Sequence, residues 1–155
     1  MPFDISFRIS AVVLRINLVV HVGLNATSDA IALESQAFNG YYDLVDESNC
    51  KCDNDGLCKP DGEDLLCCQL NLEEVRYTLS EKGFPVQISN DPGHFLCGYM
   101  YYLSLSRAPD RSIFVHIPSP SDKFPVDKLV SALFEILRTV AKQRGIAFPD
   151  CELET

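Results

Sequence analysis

The chain has 155 residues, 46% of them hydrophobic and 23% charged, enough for one domain around a single sizeable core. Its formal net charge of −9, with no basic stripe, argues against nucleic-acid binding, because phosphate contacts need clustered Lys and Arg. The acidity reads as solubility, with mild repulsion of acidic peptides.

In the first 17 residues Phe3, Ile5, Phe7 and Ile9 alternate with polar residues, the pattern of a half-buried strand. Residues 9–20 are the only candidate for a membrane or export segment. They are too short to span a bilayer, Arg15 interrupts them, and Asp4 and the lack of a small-residue cleavage site argue against a signal peptide. The expectation is a chain without membrane association, located in the cytoplasm.

Residues 18–22 form a near-continuous β-branched run ending at Gly23, which predicts a strand buried on both faces. His21 inside it reads as a satisfied sheet histidine. Residues 25–29 are a polar loop, in which Asn25-Ala26-Thr27 also matches a glycosylation acceptor. Residues 30–39 alternate weakly, with Ile31 and Leu33 on one side and Glu34 among apolar neighbours. Taken alone, a glutamate there reads as solvated surface.

Residues 40–68 form a loop rich in Asn, Asp, Gly and Cys, with Cys50, Cys52, Cys58, Cys67 and Cys68. This spacing matches no common zinc pattern, and adjacent cysteines seldom ligate one metal. Structural zinc and disulfides stay open as lesser readings beside reduced thiols in a reducing compartment. The total of seven cysteines is odd, as a free nucleophile would leave it.

Residues 71–82 predict a helix, with Asn71 as N-cap, Glu73 and Glu74 in the first turn, Gly83 at the end, and a stripe of Leu72, Val75 and Leu79. Residues 86–89 predict a strand, residues 95–106 a helix and residues 112–117 a strand ended by Pro118. The short links predict a βαβ unit with its two strands parallel and a right-handed crossover. Residues 125–144 predict a long amphipathic helix through Val126, Leu129, Val130, Leu133, Phe134, Leu137 and Val140, ended by Gly145. Residues 148–155 read as a loose acidic tail. The sum is an α/β domain of three layers, α/β/α, around a mainly parallel twisted sheet.

The turn between the strand at 86–89 and the following helix places Cys97 in the helix's first turn, where unpaired N–H groups and the dipole favour a thiolate. Alone, Cys97 reads as a small buried hydrophobe and His116 as a core histidine. Together with their surroundings they carry more. Ser89-Asn90-Asp91-Pro92-Gly93-His94-Phe95-Leu96-Cys97, followed by Tyr101-Tyr102, resembles the nucleophile segment of the pyroglutamyl-peptidase I family, roughly Ser-x-Asp-Ala-Gly-basic-aromatic-Leu-Cys. Val19-Val20-His21-Val22-Gly23 with Glu34-Ser35-Gln36-Ala37-Phe38-Asn39 resembles the segment carrying the family's catalytic glutamate. Ser112-Ile113-Phe114-Val115-His116-Ile117-Pro118 resembles the strand carrying its histidine. Animal members have a similar Cys-containing insert.

The resemblance implies a single pyroglutamyl-peptidase I-like domain over residues 1–155, with a divergent stretch at 1–17 and the Cys-rich loop at 40–68. It implies a cysteine exopeptidase that removes N-terminal pyroglutamate from peptides, with Cys97 as nucleophile, His116 as base and then acid, and Glu34 orienting the imidazole. His94 takes a local electrostatic role at most. No cofactor and no metal is implied. The family's opening Gly-Phe-Gly-Pro-Phe segment has no counterpart, so the expected domain is N-terminally shortened. The second reading is accordingly a catalytically weak or inactive member that binds peptides or a protein. Topology adds one expectation: the three residues gather at the carboxyl rim of a parallel sheet.

Overall fold

The computed structural model describes residues 18–148 apart from residues 46, 47, 50, 52 and 53. The alternation at residues 3–9 and the tail at 149–155 lie outside the described residues. The elements in chain order are β1 (Val19–Leu24), β2 (Ile31–Glu34), β3 (Gln36–Phe38), β4 (Leu65–Cys67), α1 (Leu72–Glu81), β5 (Val86–Ser89), α2 (Leu96–Leu105), β6 (Ser112–Ile117) and α3 (Val126–Gln143). A four-stranded sheet has the order β1-β6-β2-β5, and β3 and β4 form a separate antiparallel pair. Two of the three pairings in the main sheet are parallel (β1 with β6, β2 with β5), and β2 with β6 is antiparallel. The mainly parallel sheet is as expected.

Two expectations about that sheet fail. The strands flanking α2 are neither neighbours nor parallel, because β2 lies between β5 and β6 and runs with the first and against the second. Link length alone does not say which strand fills the place beside β5. Burial does: all four residues of β2 are buried, and such a strand needs partners on both edges. Conversely, among the described residues β1 lies at the edge of the sheet, with Val22 48% and Leu24 61% exposed, rather than buried on both faces. The Cys-rich segment is also not all loop, since its last residues form β4 against β3.

The helices follow their local signals. Asn71 caps α1, its Oδ1 accepting the Glu74 N–H at 3.1 Å, and Gly83 takes the left-handed φ of +76° that ends the helix. In α3 the buried ridge is Leu129, Ala132, Ile136 and Val140, at steps of three and four. Val126 and Val130, expected in the stripe, lie off that ridge and are exposed.

Alternation along the strands sorts the core into two layers. Ile31, Leu33, Ile113 and Val115 pack with Val75 and Leu79 of α1 and Ala132, Ile136 and Val140 of α3. Fully burying each aliphatic side chain of this set stabilises the fold by about 1.5–3 kcal/mol. Phe114, from the other face of β6, packs with Tyr101, Tyr102 and Leu105 of α2 and with Ala37. The three-layer α/β/α arrangement is therefore present, with α1 and α3 on one side and, among the described residues, α2 on the other. His21 on β1 bonds Ser104 at 2.7 Å, and Tyr101 reaches the backbone of β2, so α2 lies across the strands.

Candidate active site

The register of the antiparallel pair decides where ionisable groups meet. Ala32 pairs with His116 and Glu34 with Phe114. In an antiparallel ladder opposite residues share a face, so Ala32, Glu34, Phe114 and His116 all point to the α2 side. Glu34 and His116 are diagonal neighbours there, and His116 Nδ1 lies 2.7 Å from Glu34 Oε1. The contact is nearly dry, with side-chain exposures of 9% for the histidine and 2% for the glutamate. A proton on Nδ1 would be donated to the carboxylate oxygen and leave Nε2 with its lone pair facing away. The expected gathering at one carboxyl rim does not occur, because β6 runs against β2 and β5. A cross-strand diagonal brings the pair together instead.

The burial of Glu34 is only partly compensated. Its Oε2 is buried with no hydrogen-bond partner among the described residues. Desolvating a carboxylate costs on the order of several kcal/mol unless all its acceptor capacity is used. Sites that carry such a cost are disproportionately functional.

Cys97 sits, as expected, in the first turn of α2 and is half-buried. The turn before it is self-wired: Asp91 Oδ1 accepts the Gly93 N–H at 2.9 Å, and Gly93 has a φ of +81°. Phe95 caps α2 with no side-chain hydrogen bond, and the first turn holds no acidic residue. The helix-start donors are thus not claimed by a capping side chain. The expectation of a lowered thiol is nonetheless not met. Burial pushes the Cys97 thiol up, and the charge of Glu34 pushes it further, against a smaller opposing effect of its own backbone N–H. A cation beside the sulfur would favour the thiolate against that push. The structure therefore brings Glu34 and His116 into direct contact, and Cys97 feels the charge of Glu34.

His94 faces elsewhere. Its Nδ1 lies 3.3 Å from the Gly40 carbonyl, and its ring sits among Phe38, Tyr41 and Tyr42 at centroid distances of 5.3, 5.7 and 6.1 Å. Phe38 and Tyr41 also line an open cavity of about 580 Å³ bordered by Asp43, Asp55 and Asp64. Among the described residues no group of three or more His, Cys, Asp and Glu could hold a metal ion, and no helix is long and apolar enough to cross a membrane.

Three supporting residues were not singled out from sequence. Phe114 lies between the rings of His21, Tyr101 and His116, at centroid distances of 5.7, 5.7 and 4.8 Å. Gly23, in register with His116, leaves room for that packing, since a Cβ there would stand 2.9 Å from Phe114 Cε1 and 3.0 Å from His116 Cδ2. Gly98 lets the preceding loop close onto α2, because a Cβ there would collide with the Gly93 carbonyl oxygen. The only sequence signal for these was their place inside the matched blocks or beside Cys97.

Comparison with known proteins points to one family. A family model described as pyroglutamyl peptidase matches residues 10–132. Pyroglutamyl-peptidase 1 of Rattus norvegicus is 34% identical over 123 residues, covering 77% of this chain and 58% of that protein. The pyroglutamyl-peptidase 1-like protein of Homo sapiens is 33% identical over 129 residues, covering 83% and 65%. Pyrrolidone-carboxylate peptidase of Pyrococcus furiosus is 30% identical over 118 residues, covering 73% and 56%. The chain thus spans somewhat over half the length of these relatives. A crystal structure of pyrrolidone carboxyl peptidase from Pyrococcus furiosus superposes with a TM-score of 0.75 at 23% identity, covering 83% of this chain and 70% of that one, and shows a shared fold.

Proposed function

Because this chain belongs to the pyroglutamyl peptidase family, we propose that it is a cysteine exopeptidase that releases pyroglutamate from the N-termini of peptides. The observation that carries the reading is the buried 2.7 Å contact between His116 Nδ1 and Glu34 Oε1, on the sheet face over which α2 carries Cys97. The relatives' names supply the substrate class, and this chain's own residues supply the chemistry.

His116 Nε2 takes the Cys97 thiol proton, giving a thiolate–imidazolium pair that offsets the upward push of burial and of Glu34 on the thiol. The thiolate attacks the carbonyl carbon of the pyroglutamyl residue, and its electron pair moves onto the carbonyl oxygen. The uncapped first turn of α2 offers backbone donors to that oxyanion. His116 then protonates the leaving amine as the C–N bond breaks. Water, deprotonated by His116, cleaves the thioester and returns Cys97 with free pyroglutamate. Throughout, Glu34 holds the imidazole by Nδ1 and stabilises its charged form, the role of the third member in nucleophile–base–carboxylate sets.

We place this activity in the cytosol. Cys67, Cys68 and Cys97 are free thiols, and a thiolate nucleophile survives where the compartment is reducing. The test is hydrolysis of a fluorogenic pyroglutamyl amide under reductant. Turnover by the wild-type chain that is lost in Cys97→Ala supports the proposal. A folded wild-type chain with no turnover overturns it.

A further inference from the structure

The Tyr101-Tyr102 pair is not used by the proposed chemistry, yet its two hydroxyls do different things. Tyr101 is 0% exposed and donates its hydroxyl proton to the backbone carbonyl of Glu34 at 2.8 Å. Tyr102, 1% exposed, donates to the Glu63 carbonyl at 2.7 Å, at the end of the Cys-rich loop. Tyr101 follows Cys97 by four residues in α2, so the two side chains lie on one face, one helical turn apart.

We propose that Tyr101 is a positioning residue for the Cys97–His116–Glu34 set, its hydroxyl pinning the nucleophile's helix to the strand residue whose carboxylate orients the base. This rests on the peptidase reading of those three residues. The pin acts at one turn's distance from Cys97 and directly on Glu34, so it fixes the separation of nucleophile and carboxylate through two rigid elements. The surroundings leave it little freedom. The Tyr101 ring packs against Phe114 at 5.7 Å, and Phe114 packs against His116 at 4.8 Å. Cys68 lies against the Tyr101 hydroxyl and donates its own thiol to the Ser112 carbonyl at 3.3 Å. Burial pushes both the Tyr101 phenol and the Cys68 thiol up, so each stays a protonated donor at neutral pH. The titratable groups around the site are therefore Glu34 on β2, Cys68 after β4, Cys97 and Tyr101 on α2, and His116 on β6, with His21 of β1 behind Phe114.

Loss of the hydroxyl frees Glu34 to shift relative to α2, and the imidazolium partner of the thiolate is held less well. The readout is Cys97 ionisation, followed without substrate as the rate of iodoacetamide alkylation of the Cys97 peptide by mass spectrometry. In Tyr101→Phe alkylation slows on the order of tenfold at about pH 7 and converges on the wild-type rate near pH 10, where neither protein keeps an imidazolium beside the sulfur. Tyr102→Phe loses a hydroxyl bond of the same kind to a loop carbonyl. It costs comparable thermal stability and leaves the alkylation profile as in wild type. With p-aminophenylalanine at position 101, a weaker donor in the same place, the neutral rate falls between those of wild type and Tyr101→Phe, and this variant carries the test alone should Tyr101→Phe not fold. A position-101 variant that matches wild type at both pH values overturns the role of Tyr101, as does an equal effect of Tyr102→Phe. If wild-type Cys97 itself reacts with the profile of an ordinary thiol, the three-residue set fails first and the positioning role with it.

Discussion

Along β2 and β6, alternate residues build two unlike interiors from the same backbone. Ile31, Leu33, Ile113 and Val115 meet α1 and α3 in an aliphatic layer. Ala32, Glu34, Phe114 and His116 turn the other way, and on that side Phe114 packs with Tyr101 and Tyr102 of α2. The first layer is close-packed hydrocarbon whose stabilisation scales with buried area. The second buries a carboxylate and an imidazole with one acceptor oxygen left over. Hydrocarbon packing lies on one face and the ionisable pair on the other, and the sheet between them lets the aliphatic face hold strands whose opposite face is costly to bury.

Substitutions on the two faces should therefore separate in their effects. The largest expected is from Glu34→Gln, which removes the charge that holds the imidazolium. Turnover should fall on the order of a thousandfold to ten-thousandfold, while the unfolding free energy shifts by no more than about 1 kcal/mol, because a poorly compensated buried charge is lost with it. Leu33→Ala, one residue away on the opposite face, should do the reverse. Denaturant titration should show a loss of about 2–5 kcal/mol, with kcat per folded molecule unchanged. A Leu33→Ala variant that lost activity without losing stability would break the division. Gly23→Ala lies between, on the edge strand but facing the His116 ring. Its new Cβ contacts at 2.9–3.0 Å must displace Phe114 or His116, so kcat should drop about tenfold for a stability change of about 1 kcal/mol. The smallest effect concerns pH. Burial holds the half-buried His21 below its ordinary range, so the unfolded chain binds a proton more readily than the folded one. Stability from this source is complete above the ordinary imidazole value of about 6.5 and declines as pH falls below it. His21→Gln should flatten that part of the stability–pH curve.

What the sequence made legible was local. Asn71, Gly83 and Gly145 marked helix ends that the structure keeps, and the strands at 86–89 and 112–117 were read with their final bounds. Pairing is non-local, and there the reading failed. The β-branched run at residues 18–22 looks more central than Ile31-Ala32-Leu33-Glu34, yet among the described residues the second occupies the middle of the sheet and the first its edge. The contact of Glu34 with His116 depends on that antiparallel register, so periodicity could not have supplied it; family resemblance pointed to the two residues without the geometry that joins them. Tyr101 stood in the quoted motif with no assigned partner, because its bond exists only where α2 crosses β2. The upward push on the Cys97 thiol was equally illegible, since it comes from burial and from a glutamate 63 positions earlier in the chain.

The central claim, that the ionisable face is a nucleophile, base and orienting carboxylate acting on N-terminal pyroglutamate, is tested most directly by trapping its covalent intermediate. The protein is mixed with a pyroglutamyl ester under reductant, quenched in acid and mapped by mass spectrometry. The account predicts one pyroglutamyl group on the Cys97 sulfur, absent from Cys97→Ala and formed far more slowly in Glu34→Gln. Pyroglutamyl transfer to another residue, or none to a folded protein, would contradict it.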